Sequence, residues 1–410
     1  MAAPISKMPL EGIRVADFSW VSAGPRATRI LGNFGAEVIK IESAKRMDLN
    51  RGRPPFVAGK KGINVSGLFN NINCDKLSVT LDLRNPKGCE IARRIVAISD
   101  IVIDNFNPGV MDRMGLGYDA LTEVRPDIIV ISMPVMGKTG PRSQYGGYGM
   151  GIEAISGLKY ISGFPDKMPL GTGIAYPDSG PNPRHAMVAA LAALHYRNKT
   201  GKGQFIELAQ YESSICFTGA AVLEYTANGT VQGSWGGRLP NAAPHGAYRC
   251  RGDDQWCVIA VFTDQEWESF TKAIGSPPWT GQSKFNTLLG RKHNEDELDR
   301  LVESWTIQKD AREVMEILQS ASVAAGVIQS GKDLLEDDLQ MKARGHFVQV
   351  EHPEAGSQTV DAVRIKLTST PGKLRRPAPL LGEHNEYVLK ELLSISDDEY
   401  DSLLIDGIIC

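Results

Sequence analysis

No run of apolar residues in this 410-residue chain approaches the ~20 needed to cross a bilayer, and Met1–Lys7 carries no apolar core for export. The six cysteines, at 74, 89, 216, 250, 257 and 410, never fall at C-x-x-C spacing. They read as reduced thiols of a cytoplasmic protein, neither staples nor zinc ligands. The seven histidines are equally scattered and none joins an H-E-x-x-H pattern, so no metal site is expected. Charge of either sign is not in excess: the net is −3, with Lys and Arg dispersed. That excludes a polyanion-wrapping protein, and nucleic acid as a partner with it. Neither Gly-x-Ser-x-Gly nor a Cys–His signature supplies a nucleophile. The turn Ser19-Trp20-Val21-Ser22-Ala23-Gly24-Pro25 follows the first strand without a Gly-x-Gly-x-x-Gly fingerprint, which disfavours NAD or FAD.

What is present is an alternation of strand and helix patterns. Ile13–Phe18 reads as a buried strand, Pro25–Phe34 as a helix and Glu37–Ile41 as the next strand, a βαβ unit and hence a parallel sheet. The pattern recurs at Leu77–Asp82, at Pro86–Ser99 (with Pro in the first helical turn), at Ile101–Asp104 and at Ile128–Ser132. The texture changes near 230. A smaller α+β domain is expected at 226–330, with 1–225 and 331–410 forming a large Rossmann-like α/β domain. At 42% hydrophobic residues the chain can fill both cores.

Three segments carry candidate chemistry. Tyr176-Pro-Asp178-Ser-Gly180 puts one carboxylate in a Pro/Gly-rich loop ahead of a long apolar helix at 183–198. A loop Asp before a helix is ordinarily an N-cap, yet Pro181 and Pro183 intervene and make a capping bond awkward. Asp104-Asn-Phe-Asn-Pro-Gly109 stands at the carboxyl end of a parallel strand, where such sheets bind ligands. A plain strand-to-helix loop fits those residues equally well. The small residues after the first strand suit an approaching anion or carbonyl at a helix start, or simply a tight turn. Gly137-Lys-Thr-Gly140 is too short for a phosphate loop and reads as a turn.

Taken together, Leu10–Glu42, Asn73–Leu83, Ile103–Gly117, the Asp178 loop through Glu212, Arg238–Pro244 and Arg376–His384 resemble family III CoA-transferases, the formyl-CoA and carnitine CoA-transferase group. The resemblance runs along nearly the whole chain in one order. It implies an interlocked dimer, of like chains or of two related ones, each with a Rossmann-like large domain and a small domain. It places the catalytic aspartate at Asp178. The positions around CoA fall on Ser22, Ala23, Leu81, Arg84, Asn105, Phe106 and Arg113. No cofactor is held permanently; the coenzyme A thioester is itself a substrate, alongside a carboxylic acid. Departures from the group narrow this. Ser22 replaces a glutamine of formyl-CoA transferase, and Ser43 replaces a nucleotide-contacting arginine, leaving Lys45, Arg46, Lys138 and Arg142 as candidate phosphate partners. Racemases of the same family carry a His-Asp pair where this chain has Tyr148-Gly149, so two-base proton transfer lacks one base.

A carboxylate with an ordinary pKa of ~4 is ionised at neutral pH and needs no activating base. Asp178 is therefore expected to attack the thioester, with N–H donors from Tyr145–Gly151 or Trp235–Arg238 steadying the oxyanion. Arg26 and Arg29 read either as a solvent-facing pair or as a grip on the distal carboxylate of a dicarboxylate. Trp20, Tyr145, Tyr148 and Trp235 are expected to line the acid's pocket. The expected reaction moves CoA from a succinyl-type donor to a dicarboxylic or aromatic dicarboxylic acceptor. The alternatives are a racemase-like enzyme or a CoA-binding partner subunit of a heteromeric transferase.

Overall fold

The computed structural model describes residues 7–410, and the chain divides into two compact units. The first holds the described residues up to Leu158, then Thr172–Ala227 and Gln340–Cys410; the second holds Lys159–Gly171 and Asn228–Leu339. The expectation for Met1–Lys7 falls, as far as Ser6, outside the described residues.

Six parallel strands form the first unit's sheet: β1 (Arg14–Asp17), β2 (Glu37–Glu42), β3 (Lys76–Thr80), β4 (Ile101–Asp104), β5 (Ile129–Ser132) and β6 (Gln204–Glu207). Their order across the sheet is β3-β2-β1-β4-β5-β6, a Rossmann-like mixed α/β arrangement. β3, β4 and β5 are buried along their whole length, as a sheet covered on both faces demands. The winding reverses between β1 and β4, so the loops leaving those two strands diverge and open a crevice.

Helices cover both faces. On one side α1 (Ala23–Asn33) packs Ala27 and Leu31 with Ile103 and Ile131 of the sheet and with Ala186 and Ala190 of the long α5 (Pro181–Thr200). Those alanines let two helices approach closely. On the other side α2 (Pro86–Ala97) sets Ile91 and Ile95 against Val79 and Val102; each fully buried isoleucine contributes about 2 kcal/mol. Pro86 opens α2, and the Asn85 side chain accepts the Lys87 N–H at 2.9 Å. Gly201 ends α5 in the left-handed conformation, φ 72°, where a side chain would be strained. Two short helices, α3 (Gly149–Ile155) and α4 (Tyr176–Ser179), complete the surroundings of the site.

Residues far downstream close the sheet. Asn385 accepts the Thr80 N–H at 2.9 Å, and Asp75 accepts the backbone N–H groups of Arg375 and Arg376 at 2.7 and 3.0 Å.

The second unit has its own antiparallel sheet of β7 (His245–Arg249), β8 (Trp256–Ala260) and β9 (Ala324–Val327). Trp267 and Phe270 of α6 (Asp264–Ala273), Leu298 and Val302 of α7 (Glu295–Thr306) and Val314 of α8 (Ala311–Ser320) fill its core. A reciprocal Thr263–Glu266 capping box starts α6. Among the described residues no helix is long and apolar enough to cross a membrane, and no cluster of three metal-ligating side chains occurs.

Candidate active site

A cavity of about 600 Å³ lies in the first unit at the carboxyl ends of its strands. Trp20, Ser22 and Ala23 reach it from the turn after β1, Ser43, Arg46 and Leu49 from beyond β2, Leu81 and Arg84 from beyond β3, and Asn105 and Phe106 from beyond β4. Gly146, Gly147, Tyr148, Asp178 and Gln210 line it as well.

The turn after β1 is held by charge buried beneath it. Asp17, fully buried, takes the Lys76 ammonium at 2.9 Å and the Thr28 hydroxyl at 2.6 Å. Burial alone would raise its pKa, but Lys76 and Lys40 hold the carboxyl below its ordinary range. Lys40 in turn reaches the Ser19 carbonyl at 2.9 Å and Asp48 at 3.0 Å. Asp48 accepts the Val21 N–H at 3.1 Å, and the Asn50 amide donates to the Val21 carbonyl. Val21 needs this grip. It is β-branched and sits at φ 66°, a conformation that costs on the order of 1–3 kcal/mol. From the other side Asn105 accepts the Trp20 N–H and donates to the Trp20 carbonyl, both at 2.8 Å. The Asn105 amide is thus occupied with backbone. Phe106 meets Trp20 edge-on at 5.5 Å between ring centres, and the Arg46 guanidinium stands 5.4 Å over the Trp20 ring.

Asp178 lies within the helical turn α4, not in an open loop, because Pro177 and the Asp178 N–H bond to the Ala175 carbonyl (3.1 Å) wind that segment. Asp178 is 6% exposed, and its carboxylate accepts the Gly149 N–H at 3.3 Å. Gly149 has to be glycine: a Cβ there would stand 2.6 Å from Asp178 Oδ2 and 2.7 Å from Ala175 Cβ. Burial raises the Asp178 pKa to about 6, against the Gly149 N–H bond and the charges of Arg26 and Arg53, which favour the anion. The ordinary value near 4 expected from sequence is corrected by this desolvation. At pH 7 the group is still about tenfold more ionised than protonated. Of the three carboxylates lining the cavity, Glu42 is gripped by Arg51 at 2.7 Å and Asp82 by Lys45 at 2.9 Å. Asp178 has no cation at ion-pair distance among the described residues.

The structure brings Trp20, Ser22, Ala23, Leu81, Arg84, Asn105, Phe106, Tyr148 and Asp178 to one cavity. Arg113, Arg26 and Tyr145 do not line it; Arg113 ends a short helix after Gly109 and Tyr145 is exposed. Trp235 belongs to the second unit. Arg26 donates to the Ser22 hydroxyl at 3.1 Å and is half-buried. Arg29 is not solvent-facing. It is buried, with its guanidinium bound to the carbonyls of Asn71 and Asp361. Among the candidate phosphate partners Arg46 lines the cavity and Lys45 borders it through Asp82, whereas Lys138 stacks on Phe205 elsewhere. Sequence reasoning offered Gly149 only as one of the Tyr145–Gly151 donors, not as the partner of Asp178, and did not single out Gln210 or Arg53. Gln210 left a trace, as a polar residue just after a strand's carboxyl end; the roles of the other two are recognisable only once residues distant in sequence are brought together.

A ligand-sized cavity at the switch point of a doubly wound sheet, lined by one carboxylate without an ion partner among the described residues, is where an α/β enzyme of this topology binds its substrate. The chain belongs to CoA-transferase family III, whose model matches residues 10–385. It is 32% identical over 402 residues to the succinyl-CoA–D-citramalate CoA-transferase of Chloroflexus aurantiacus, covering 98% of both chains. It is also 32% identical over 409 residues to a formyl-CoA:oxalate CoA-transferase of Rhodopseudomonas palustris, covering 95% of this chain and 94% of that one. The crystal structure of a CAIB/BAIF family protein from Brucella suis superposes with a TM-score of 0.87 at 30% identity, over 94% of this chain and 100% of that one. The protein is accordingly a CoA-transferase acting on CoA thioesters.

Proposed function

We propose that this enzyme moves CoA from a succinyl-type acyl-CoA to a dicarboxylic acid through an aspartyl-CoA thioester on Asp178. The observation that carries the reading is the Asp178 carboxylate itself: buried, fixed by one backbone N–H, unpaired, and facing the cavity. An Asp178 oxygen attacks the thioester carbonyl, the C–S bond breaks, and CoA leaves as thiolate with an aspartyl–acyl anhydride behind. The thiolate then attacks the Asp178 carbonyl carbon and releases the donor acid. The acceptor carboxylate repeats both steps in reverse, regenerating the Asp178 carboxylate. No proton or electron is gained or lost, and burial keeps water from the anhydride.

Ser22 and Ala23 face the thioester end of CoA, with Leu81, Asn105 and Phe106 around the nucleotide and Arg84, Arg46 and Lys45 near its phosphates. Gly146 and Gly147 line the cavity, and their N–H groups have no acceptor among the described residues. They are the oxyanion donors in this reading; losing one such donor typically costs ~3–4 kcal/mol in the barrier. The dicarboxylic acceptor is supported by the relatives, whose citramalate and oxalate both carry two carboxylates. A racemase is disfavoured because Gly149, beside Asp178, brings an N–H and no second base. The helix Gly219–Asn228 buries none of its residues and exposes Leu223 and Tyr225, which supports an oligomer of like or related chains.

The test is incubation with succinyl-CoA followed by hydroxylamine or borohydride, with intact-mass and peptide mapping. A single adduct on Asp178 is expected. Adducts elsewhere, or full turnover by Asp178→Ala, refute the reading.

A further inference from the structure

We infer that Arg53 is a specificity-determining residue, its guanidinium receiving the second carboxylate of the acid substrate while the first reacts at Asp178. The inference rests on the proposed role of Asp178 and names the group that selects a dicarboxylate over a monocarboxylate.

Arg53 follows the short turn Leu49–Gly52, and its backbone is fixed at both ends. Its N–H donates to the Asn50 carbonyl at 3.2 Å, and its carbonyl accepts the Ser66 hydroxyl at 2.6 Å. The guanidinium stands 5.7 Å over the ring of Tyr148. Tyr148 lines the cavity and directly precedes Gly149, the residue bonded to Asp178. An aromatic face beneath a guanidinium steadies its plane and leaves its N–H edge free to take a carboxylate with two hydrogen bonds. No carboxylate lies at ion-pair distance from Arg53 among the described residues.

The other cation whose field reaches Asp178 is Arg26. It donates to the Ser22 hydroxyl, is half-buried, and has Arg364 and Asp361 as charged neighbours. That leaves Arg53, which does not line the cavity itself but stacks on the lining Tyr148, as the exposed cation without an acidic partner whose field reaches Asp178. The acceptor meets Asp178 as its neutral CoA thioester, so the reacting end of the acid gains no ion pair there. Arg53 attracts the far carboxylate only of an acid long enough to reach it, and a monocarboxylate gains nothing from it after docking.

The test compares wild type, Arg53→Gln and Arg53→Lys with a dicarboxylate acceptor, glutarate, and the monocarboxylate of equal length, pentanoate. For Arg53→Gln the KM for glutarate rises roughly 10–100-fold, as deletion of one charge-assisted contact typically does. The KM for pentanoate and the Kd for CoA stay within about twofold. Arg53→Lys recovers part of the glutarate preference, since the charge remains and the bidentate fork is lost. Equal changes for both acids, or an unchanged preference in Arg53→Gln, overturn the assignment. Trapping at Asp178 keeps the two readings apart. If wild type labels at Asp178 and Arg53→Gln keeps the preference, only the role of Arg53 fails. If wild type does not label at Asp178 or does not prefer glutarate, the underlying reading fails with it.

Discussion

Replacing Asp178 by Asn should make the fold more stable at pH 8 while abolishing transfer. The cause is the burial that raises this carboxyl from its ordinary 3.8 to about 6. At about 1.4 kcal/mol per pH unit, ionised Asp178 is about 3 kcal/mol costlier inside the fold than in the unfolded chain. The sign follows from proton uptake. The folded state holds this proton more tightly, so its contribution to stability is fully present below pH 4 and is lost as pH rises through about 6. Asparagine keeps the Gly149 N–H bond and carries no charge, so it escapes that loss. Urea unfolding of wild type and Asp178→Asn at pH 4, 6 and 8 measures the difference. The variant's advantage should approach about 3 kcal/mol at pH 8, remain about 2.6 kcal/mol at pH 6, pass through half near pH 5 and shrink to about 0.5 kcal/mol at pH 4. A difference that does not change with pH, or a variant less stable at pH 8, would refute the desolvation argument. The acid limb of kcat/KM in wild type should fall at the same pH of about 6.

Gly149→Ala places a methyl 2.6 Å from Asp178 Oδ2, so the carboxylate must move; kcat should drop on the order of 100-fold with CoA binding retained, checked by steady-state kinetics beside CoA titration. Asn105→Ala strips the paired bonds that hold the Trp20 backbone and leaves two sheltered polar groups without partners, costing about 2 kcal/mol in urea unfolding and weakening CoA binding. A Kd for CoA unchanged in that variant would mean the turn after β1 keeps its shape without Asn105.

The sheet was legible because its strands are short apolar runs broken by turn residues, and β4 runs over Ile101–Asp104 as the pattern indicates. α2 starts at Pro86 for the reason its sequence suggests. The environment of Asp178 was not legible. Its partner Gly149 is one of 42 glycines, and only the fold shows which of them a carboxylate leans against. Local pattern also misjudged Arg29, since a charged residue on an amphipathic helix ordinarily faces water. Here the carbonyls of Asn71 and Asp361 draw it inward, and neither is near it in sequence. Asn105 illustrates the opposite case: resemblance places it near the nucleotide, while its amide is already taken by Trp20.

The partners of β3 carry a consequence for synthesis. Thr80 bonds to Asn385 and Cys410, 305 and 330 positions onward, and Arg29 reaches Asp361, 332 positions onward. The opening strands therefore leave the ribosome long before the residues that seal them, and their edge stays open while the intervening unit is translated. A nascent chain in that state offers bare strand edge to its neighbours. Chaperone demand should peak during translation of that middle stretch and end once the closing residues emerge.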